Sequence, residues 1–367
     1  MKIGIITQPL HTNYGGILQN YALQLVLKRM GHEPITLRES FNSFVLTTSH
    51  INFFLHWFKA FMNFLLMRIM NKECSFPKTR RRLIKSMEVT ESFIKKNIKF
   101  TPSQEFIYPE DVVKLGIQVL IVGSDQVWRP SYERHLLRHQ FLGFAENLEI
   151  RRIAYAASFG SDIWEYTDKE EQESRRLVKK FDAVSVREYD GLAICKTHWG
   201  IDAQWVLDPV MLLTRQDYEN LIQKVPVSCE KFVFAYIVSE VEETKYLAQE
   251  IALHLGCYVR YMYARAGNDK QSVEQWIANF RDSIWVITDS FHGAVFSLLF
   301  EKQFLCFVNH TTGNSRMNSI KRLTGLDDRF IEGKVEMPKK EINYNAIMTR
   351  IDAMRKYSLN YLTKVLE

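Results

Sequence analysis

The chain has 367 residues, 46% hydrophobic and 13% aromatic, so two domains with full cores are expected and widespread disorder is not. Its formal net charge is +6, and residues 68–99 carry ten basic against three acidic residues, which leaves the rest close to neutral. This block lacks interleaved aromatic residues, so nucleic acid is not an expected partner. Five scattered cysteines without a Cys-x-x-Cys pair argue against structural zinc and for a reducing compartment. No signal peptide precedes the first strand, so a cytoplasmic protein is expected.

The chain begins with the pattern of a β-α-β unit. A short apolar strand over 2–7 is followed by a polar loop, a helix over 17–30 that Gly31 ends, and a second strand over 33–37. Gly15 and Gly16 would let the backbone approach a ligand closely, although tight packing of helix on sheet is an alternative reason for them. The loop is neither G-x-G-x-x-G nor a Walker motif, which argues against a dinucleotide or P-loop site.

Residues 40–105 are expected to form an insertion after the second strand. Its first part, 51–70, has a broad apolar helical face, and the basic block follows directly. Because His56, Lys59 and Arg68 interrupt it, this segment is a poor membrane span. Two interpretations stay open: residues 51–99 contact an anionic bilayer surface, or the apolar helix covers the first domain and the charges lie on a solvated helix.

Strands and helices alternate along the remaining chain. In the first half, strands are predicted over 116–122, 152–160, 181–186 and 206–210, with a charged helix over 167–180. In the second half, strands are predicted over 232–238, 258–262, 284–287 and 304–308, with helices over 242–255, 272–280, 294–300 and 313–323. The pattern predicts an α/β fold with two Rossmann-like domains, 1–215 and 216–340, facing across a cleft. A final helix within 341–367 is expected to reach back to the first domain.

The segment IWVITDSFHG at 284–293 is the most informative stretch, because an apolar strand runs through polar residues directly into a helix. The free N–H groups and positive dipole of such a helix start bind anions at the carboxyl edge of a sheet. His292 would move a proton there near neutral pH, although an ordinary satisfied histidine is the alternative. Asp289 would either cap the helix or hold the tautomer of His292, and capping is the commoner role.

Five ordered motifs carry a family resemblance: NYGGILQ at 13–19, VGSDQVW at 122–128, SVRE at 185–188, DP at 208–209 and TDSFHG at 288–293. Together they resemble the polysaccharide pyruvyl transferase family, from residue 1 to about residue 330. The resemblance implies a glycosyltransferase-B-like fold and phosphoenolpyruvate as donor. It also implies transfer of the enolpyruvyl group to two sugar hydroxyls as a ketal, on a cell-surface glycan or an undecaprenyl-linked precursor.

The resemblance also assigns roles. His292 aligns with the family's histidine as acid or base, and Arg187 stands at the family's arginine position, where it would bind an anionic oxygen or else form a salt bridge. The family pattern has an arginine two residues before the histidine, whereas this chain has Ser290. Arg316, from the loop after the next strand, is predicted to restore the lost cation. Asp125 is predicted to orient acceptor hydroxyls.

The predicted catalytic residues are therefore His292, Asp125 and Asp289, and the predicted substrate-binding residues are Arg187, Arg316, Ser290, Phe291, Gly293, Asn13, Gly15, Gly16 and Ser124. No metal is predicted, because the acidic residues do not form the dense oxygen cluster that magnesium prefers. No cofactor is predicted, since phosphoenolpyruvate would be a substrate. Two other functions stay open: a nucleotide-sugar glycosyltransferase of the same fold, and a non-catalytic protein that binds a glycan or an anion.

Overall fold

Two parallel sheets organise the protein. The computed structural model describes residues 1–38, 58, 61–62, 65, 80–102, 107–239, 242–264, 271–308, 314–332, 338 and 340–367. The first sheet contains β1 (Lys2–Ile6), β2 (Glu33–Thr36), β3 (Val119–Val122), β4 (Arg151–Ala157), β5 (Ala183–Val186) and β6 (Gln204–Trp205). The second sheet contains β7 (Phe232–Ile237), β8 (Tyr258–Tyr263), β9 (Trp285–Thr288), β10 (Gln303–Phe307) and β11 (Phe330–Ile331).

Helices cover these sheets. In the first half they are α1 (Tyr14–Arg29), α2 (Arg80–Asn97), α3 (Pro109–Lys114), α4 (Pro130–Glu133), α5 (Leu137–Gln140), α6 (Asp168–Val178), α7 (Gly191–Ile194) and α8 (Arg215–Leu221). In the second half they are α9 (Glu242–His254), α10 (Val273–Asp282), α11 (Phe291–Leu299), α12 (Ser315–Thr324) and α13 (Tyr344–Leu366). Because helices pack on both faces, the central strands β3 and β7 are apolar and buried at every position.

The strand orders place a switch point in each sheet. The first sheet has the order β2-β1-β3-β4-β5-β6, and the second has the order β11-β10-β9-β7-β8. The order in which successive strands are added therefore reverses between β1 and β3 in the first sheet, and between β7 and β9 in the second. Ligands of open parallel sheets bind at the carboxyl ends of the strands beside such points. The two points lie on either side of one cleft, which confirms the predicted glycosyltransferase-B-like class of two Rossmann-like domains.

The C-terminal helix α13 contacts both halves of the protein. Near its start, the Tyr344 hydroxyl donates to the Lys302 carbonyl oxygen at 2.5 Å, in the second domain. Farther along, Arg355 Nε donates to the Met211 carbonyl at 2.7 Å, and the Leu207 N–H donates to Ser358 Oγ at 3.0 Å. The helix thereby ties the second domain to the end of the first.

Most of the predicted insertion lies outside the described residues, including most of the predicted apolar helix over 51–70. Residues 58, 61, 62 and 65 are helical, and Phe58, Met62 and Leu65 are 47%, 41% and 37% exposed. Near the end of α2, Phe93 and Ile94 are buried in the core around α1. The last helix before residue 100 is thus packed on the first domain. No helix among the described residues has the length and apolar character needed to span a bilayer.

Candidate functional site

A cavity of about 180 Å³ lies between the two domains at both switch points. The first domain lines it with Thr12, Asn13, Asp125, Gln126 and Tyr132, from the loops after β1 and β3 and from α4. The second domain lines it with Tyr236, Val238, Ser239, Ala264, Asp289, Ser290, Phe291, His292 and Arg316. The cavity is therefore built almost entirely from strand ends and helix starts, as the topology requires.

His292 occupies the first turn of α11 and faces this cavity. The side chain is only 8% exposed, and its Nε2 atom makes no hydrogen bond within the described parts of the chain. Its other ring nitrogen, Nδ1, lies against Gly15 of the first domain, where an added Cβ would come within 1.9 Å of it. A buried polar atom without a partner is costly, so Nε2 is suited to meet a ligand. Gly15 is required for close approach of the two domains around the ring.

Asp208 lies behind His292 and belongs to the first domain. Its Oδ2 atom is 3.7 Å from His292 Nε2 and 2.8 Å from an Arg187 terminal nitrogen, and it accepts a hydrogen bond from Ser124 Oγ at 2.9 Å. Burial alone would raise the pKa of Asp208, but His292 and Arg187 outweigh burial and hold the pKa well below its usual range. The ionised carboxylate therefore faces the Nε2 edge of the imidazole from across the domain boundary.

These positions agree with a match of the sequence to a known family. The family model described as polysaccharide pyruvyl transferase matches residues 13–311. The chain belongs to this family. The match confirms the resemblance that the five motifs predicted, and it supports a role as a transferase in polysaccharide synthesis. No curated protein matches the sequence of this family member significantly.

Solved structures resemble this pyruvyl transferase family member in fold alone. A UDP complex of MnaA from S. aureus has 9% identity and a TM-score of 0.47, covering 100% of this chain and 91% of its own. UDP-N-acetylglucosamine 2-epimerase from Rickettsia bellii has 10% identity and a TM-score of 0.43, covering 99% and 98%. The spinosyn rhamnosyltransferase SpnG has 8% identity and a TM-score of 0.37, covering 100% and 96%. Scores this low carry no conclusion about function.

Arg187 of this family member does not line the cavity, contrary to its predicted role as a direct anion ligand. The side chain is buried, and its guanidinium lies 2.8 Å from Asp208, 3.3 Å from Glu188 and 3.8 Å from Asp125. Burial pulls the pKa of Arg187 down, but these three carboxylates raise it overall. The guanidinium also lies 4.6 Å from the centre of the Phe291 ring. Arg187 therefore neutralises the acidic floor under the cavity, a role closer to the salt bridge considered as its alternative.

Asp289 has neither of its two predicted roles. The helix cap is Ser290, whose side chain accepts from the Gly293 N–H at 3.3 Å. The two oxygens of Asp289 instead accept from the N–H groups of Val238 and Ser239, both at 2.6 Å. These bonds hold the loop after β7 against the loop after β9. Burial raises the pKa of Asp289 despite the backbone donors, and its carboxyl group still lines the cavity.

Arg316 lies in the cavity wall, as predicted, on the first turn of α12. Burial and the positive charge of nearby Arg187 lower the pKa of its guanidinium. Lowered from such a high starting value, the group still carries its charge at neutral pH. Arg316 is therefore the guanidinium that this cavity presents, whereas Arg187 lies below the floor.

Three predicted binding residues have structural roles around the cavity, and one of them, Asn13, also lines it. Asn13 caps α1 by accepting from the Gly16 N–H at 3.2 Å, and its amide also donates to Asp125 at 3.4 Å. Ser124 is fully buried and bound to Asp208, so it does not meet a ligand. Gly293 faces β9, where an added Cβ would lie 2.2 Å from Thr288 Oγ1. Gly293 is thus a packing requirement rather than a binding residue.

Asp125 lines the cavity with a backbone φ of +77°, which only a few non-glycine residues adopt. Its Oδ1 accepts from the Gln126 N–H at 2.9 Å, a local bond that makes this conformation tolerable for aspartate. The turn thereby places Asp125 in the cavity wall, and its contact with acceptor hydroxyls stays a prediction.

The sequence interpretation did not identify Asp208 as the partner of His292. Its signal was present, because Asp208 interrupts the apolar segment 206–210 that closes the first half and stands in the DP motif. Val238 and Ser239 were also missed, although the predicted strand over 232–238 ends at the same edge as the 284–287 strand. Within the described residues, no group of three or more histidine, cysteine or acidic side chains is placed to hold a metal.

Proposed function

We propose that this protein transfers the enolpyruvyl group of phosphoenolpyruvate to two hydroxyls of a sugar, forming a cyclic pyruvate ketal. The observation that carries the proposal is the position of His292. Its imidazole lines the interdomain cavity at the start of α11, and its Nε2 atom, which has no hydrogen-bond partner among the described residues, lies 3.7 Å from the ionised carboxylate of Asp208. This combination supplies a proton-transfer group directly beside an anion site.

We place the anion site at the start of α11, where the helix meets the cavity. The first-turn N–H groups of Phe291 and His292 form no hydrogen bond to any described residue, whereas the Gly293 N–H is taken by Ser290. Free N–H groups at the positive end of a helix bind phosphate or carboxylate. Arg316 adds a full positive charge to the same wall. The two anionic groups of phosphoenolpyruvate would be held by these donors.

The reaction needs one proton at the methylene carbon and one acceptor for each hydroxyl proton. Protonated His292 would donate to C3, which makes C2 electrophilic, and the first sugar hydroxyl would attack C2 and return its proton to the imidazole. The C2–O bond to phosphate then breaks, and the second hydroxyl attacks C2 while its proton leaves with inorganic phosphate. The balance is phosphoenolpyruvate plus diol giving ketal plus phosphate. Asp125, on the opposite wall, would orient the hydroxyls.

The size of the cavity favours this reaction over the alternative of nucleotide-sugar transfer. A volume of about 180 Å³ is below the roughly 300–1,000 Å³ of typical small-molecule pockets. A three-carbon donor with its phosphate is compatible with that space, whereas a nucleotide sugar would need the domains to separate. A shift of the melting temperature by phosphoenolpyruvate, without a shift by UDP-sugars, is the expected outcome.

The acceptor is proposed to be a cell-surface glycan or its undecaprenyl-linked precursor, reached at the cytoplasmic face of the membrane. Phe58, Met62 and Leu65 are spaced at i, i+4 and i+7 on one helical face, and each is more than a third exposed. Exposed apolar groups near a basic block suit an anionic bilayer surface. Binding to vesicles containing anionic lipid should fall when Phe58 and Met62 are both changed to Ser, with soluble-acceptor turnover kept.

The central experiment incubates the purified protein with phosphoenolpyruvate and extracted lipid-linked oligosaccharides. We expect a product heavier by one pyruvate ketal, together with one equivalent of inorganic phosphate. A His292→Gln variant should still be stabilised by phosphoenolpyruvate but release phosphate at least about 100-fold more slowly than wild type. Ligand binding without turnover in both forms would contradict the enzyme and support the non-catalytic alternative.

A further inference from the structure

The two walls of the cavity differ in chemistry. The second domain contributes the free helix start and the Arg316 guanidinium, which suit an anion. The first domain contributes a hydroxyl, two amides and a carboxylate, followed at the rim by the aromatic ring of Tyr132. Polar groups beside an exposed aromatic ring are what a pyranose requires, because its hydroxyls form hydrogen bonds and its C–H face packs on the ring.

We propose that Tyr132 is a stacking platform for the pyranose ring of the acceptor, at the first-domain rim of the cleft. This inference rests on the proposed function and defines its acceptor subsite. Tyr132 is 52% exposed although it lines the cavity, so much of its ring is available to a ligand. A pyranose held there would direct its hydroxyl pair past Asp125 toward the donor.

The platform is fixed firmly to the first domain. The guanidinium of Arg129, the residue before α4, is ion-paired with Glu165 at 3.0 Å, and both side chains are largely buried. Glu165 also accepts from the Ser131 N–H at 3.2 Å, which anchors the first turn of α4. Arg129 further donates to Gln126 Oε1 at 2.9 Å, so the segment that carries Tyr132 is bonded to the cavity wall.

Arg129 also packs against the ring itself. Its guanidinium carbon lies 5.4 Å from the centre of the Tyr132 ring, within the range of a cation–π contact. A ring held this way loses little conformational freedom when a ligand binds, and rigid aromatic groups are effective contact surfaces for that reason. These contacts of Arg129 explain how the four-residue helix α4 holds an aromatic side chain at the opening of the cleft.

The test compares Tyr132→Ala, Tyr132→Phe and a control, Tyr246→Ala. Tyr246 is 64% exposed on α9 and does not line the cavity. Saturation-transfer NMR would use methyl glucoside, galactoside and mannoside with phosphoenolpyruvate present. We expect at least one pyranoside to be saturated by wild type, Tyr132→Phe and Tyr246→Ala, and the signal to be lost in Tyr132→Ala. Equal signals in Tyr132→Ala and wild type, or no signal with any pyranoside, would overturn the proposal.

Kinetics separate this proposal from the function on which it rests. In Tyr132→Ala the acceptor KM should rise on the order of tenfold, as for a lost aromatic contact, with the phosphoenolpyruvate KM unchanged. Tyr132→Phe should restore the acceptor KM, which a role of the hydroxyl alone would not allow. If wild type bound a pyranoside through Tyr132 but did not react with phosphoenolpyruvate, the proposed donor would be wrong and the stacking role of Tyr132 would still hold. If all KM values were unchanged in Tyr132→Ala, the platform alone would fail.

Discussion

His292 Nε2, from the second domain, lies 3.7 Å from Asp208 Oδ2, from the first. The proton-transfer group of the proposed reaction and the ionised carboxylate beside it therefore belong to different domains. Arg187 contacts the same carboxylate oxygen at 2.8 Å, so the imidazole is coupled to a buried ion pair. The site is complete only when the two domains are closed on each other.

The first prediction concerns His292→Gln. Loss of the imidazole should lower kcat/KM by about 10²- to 10⁴-fold, because a positioned acid and base is removed. Steady-state phosphate release measures the effect. The control is His254→Gln, at an exposed position at the end of α9, which should leave kcat/KM unchanged. Equal losses in both variants would contradict a catalytic role for His292.

The second prediction concerns Asp208→Asn. Removing one partner of a buried ion pair leaves the Arg187 charge less compensated, so the free energy of unfolding should fall by about 3–5 kcal/mol. Urea denaturation measures it. Asp202→Asn is the matched control, because the Lys196–Asp202 pair at 2.8 Å is exposed on both sides. That variant should change stability by less than about 1 kcal/mol. A similarly small change in the stability of Asp208→Asn would contradict a stabilising ion pair between Asp208 and Arg187.

The third prediction concerns pH. The pKa of Asp208 is lowered in the folded protein, so its contribution to stability is fully present above the unfolded value of about 3.9. That contribution is lost progressively as the pH falls below this value toward the folded pKa. Denaturation between about pH 5 and pH 2 should show a steeper loss in wild type than in Asp208→Asn. If the stability of the two proteins fell in parallel with pH, the lowered pKa of Asp208 would be refuted.

The fourth prediction concerns Gly15→Ala. The added Cβ would lie 1.9 Å from His292 Nδ1, so the ring or the domain contact must shift. Turnover should drop by about 10²-fold, as expected when reacting groups are misplaced by an ångström. Gly123→Ala is the control, because its Cβ would meet no atom closer than 3.5 Å. Circular dichroism should show that both variants are folded, and equal activity of the two would contradict the close contact.

The fifth prediction concerns Arg316→Gln. Loss of the guanidinium from the cavity wall should raise the phosphoenolpyruvate KM roughly tenfold or more, since hydrogen bonds to charged groups are the stronger ones. The acceptor KM should change little. Arg322→Gln, on the same helix, is the control, because Arg322 packs over the Tyr189 ring at 3.7 Å and does not line the cavity. An unchanged donor KM would remove Arg316 from the site.

Much of the fold was predictable from local pattern. Apolar runs such as β3 and β7 stand out because strands covered on both faces need no polar alternation. The start of α11 was predictable for a similar reason, since Thr288, Asp289 and Ser290 interrupt an apolar segment. The exact cap was not, because Asp and Ser are both good N-cap residues and only backbone geometry chooses between them.

The amino-acid sequence by itself determined the alternation of strands and helices and the family, because each depends on local periodicity or on motifs. Only the tertiary structure decided which charges meet. Arg187 has the same residue type and neighbours whether it binds a ligand or three carboxylates, and Asp208 is 84 positions from His292. Contacts between strand ends of separate sheets depend on how two domains pack. The spacing of residues within one strand or helix carries no information about that packing.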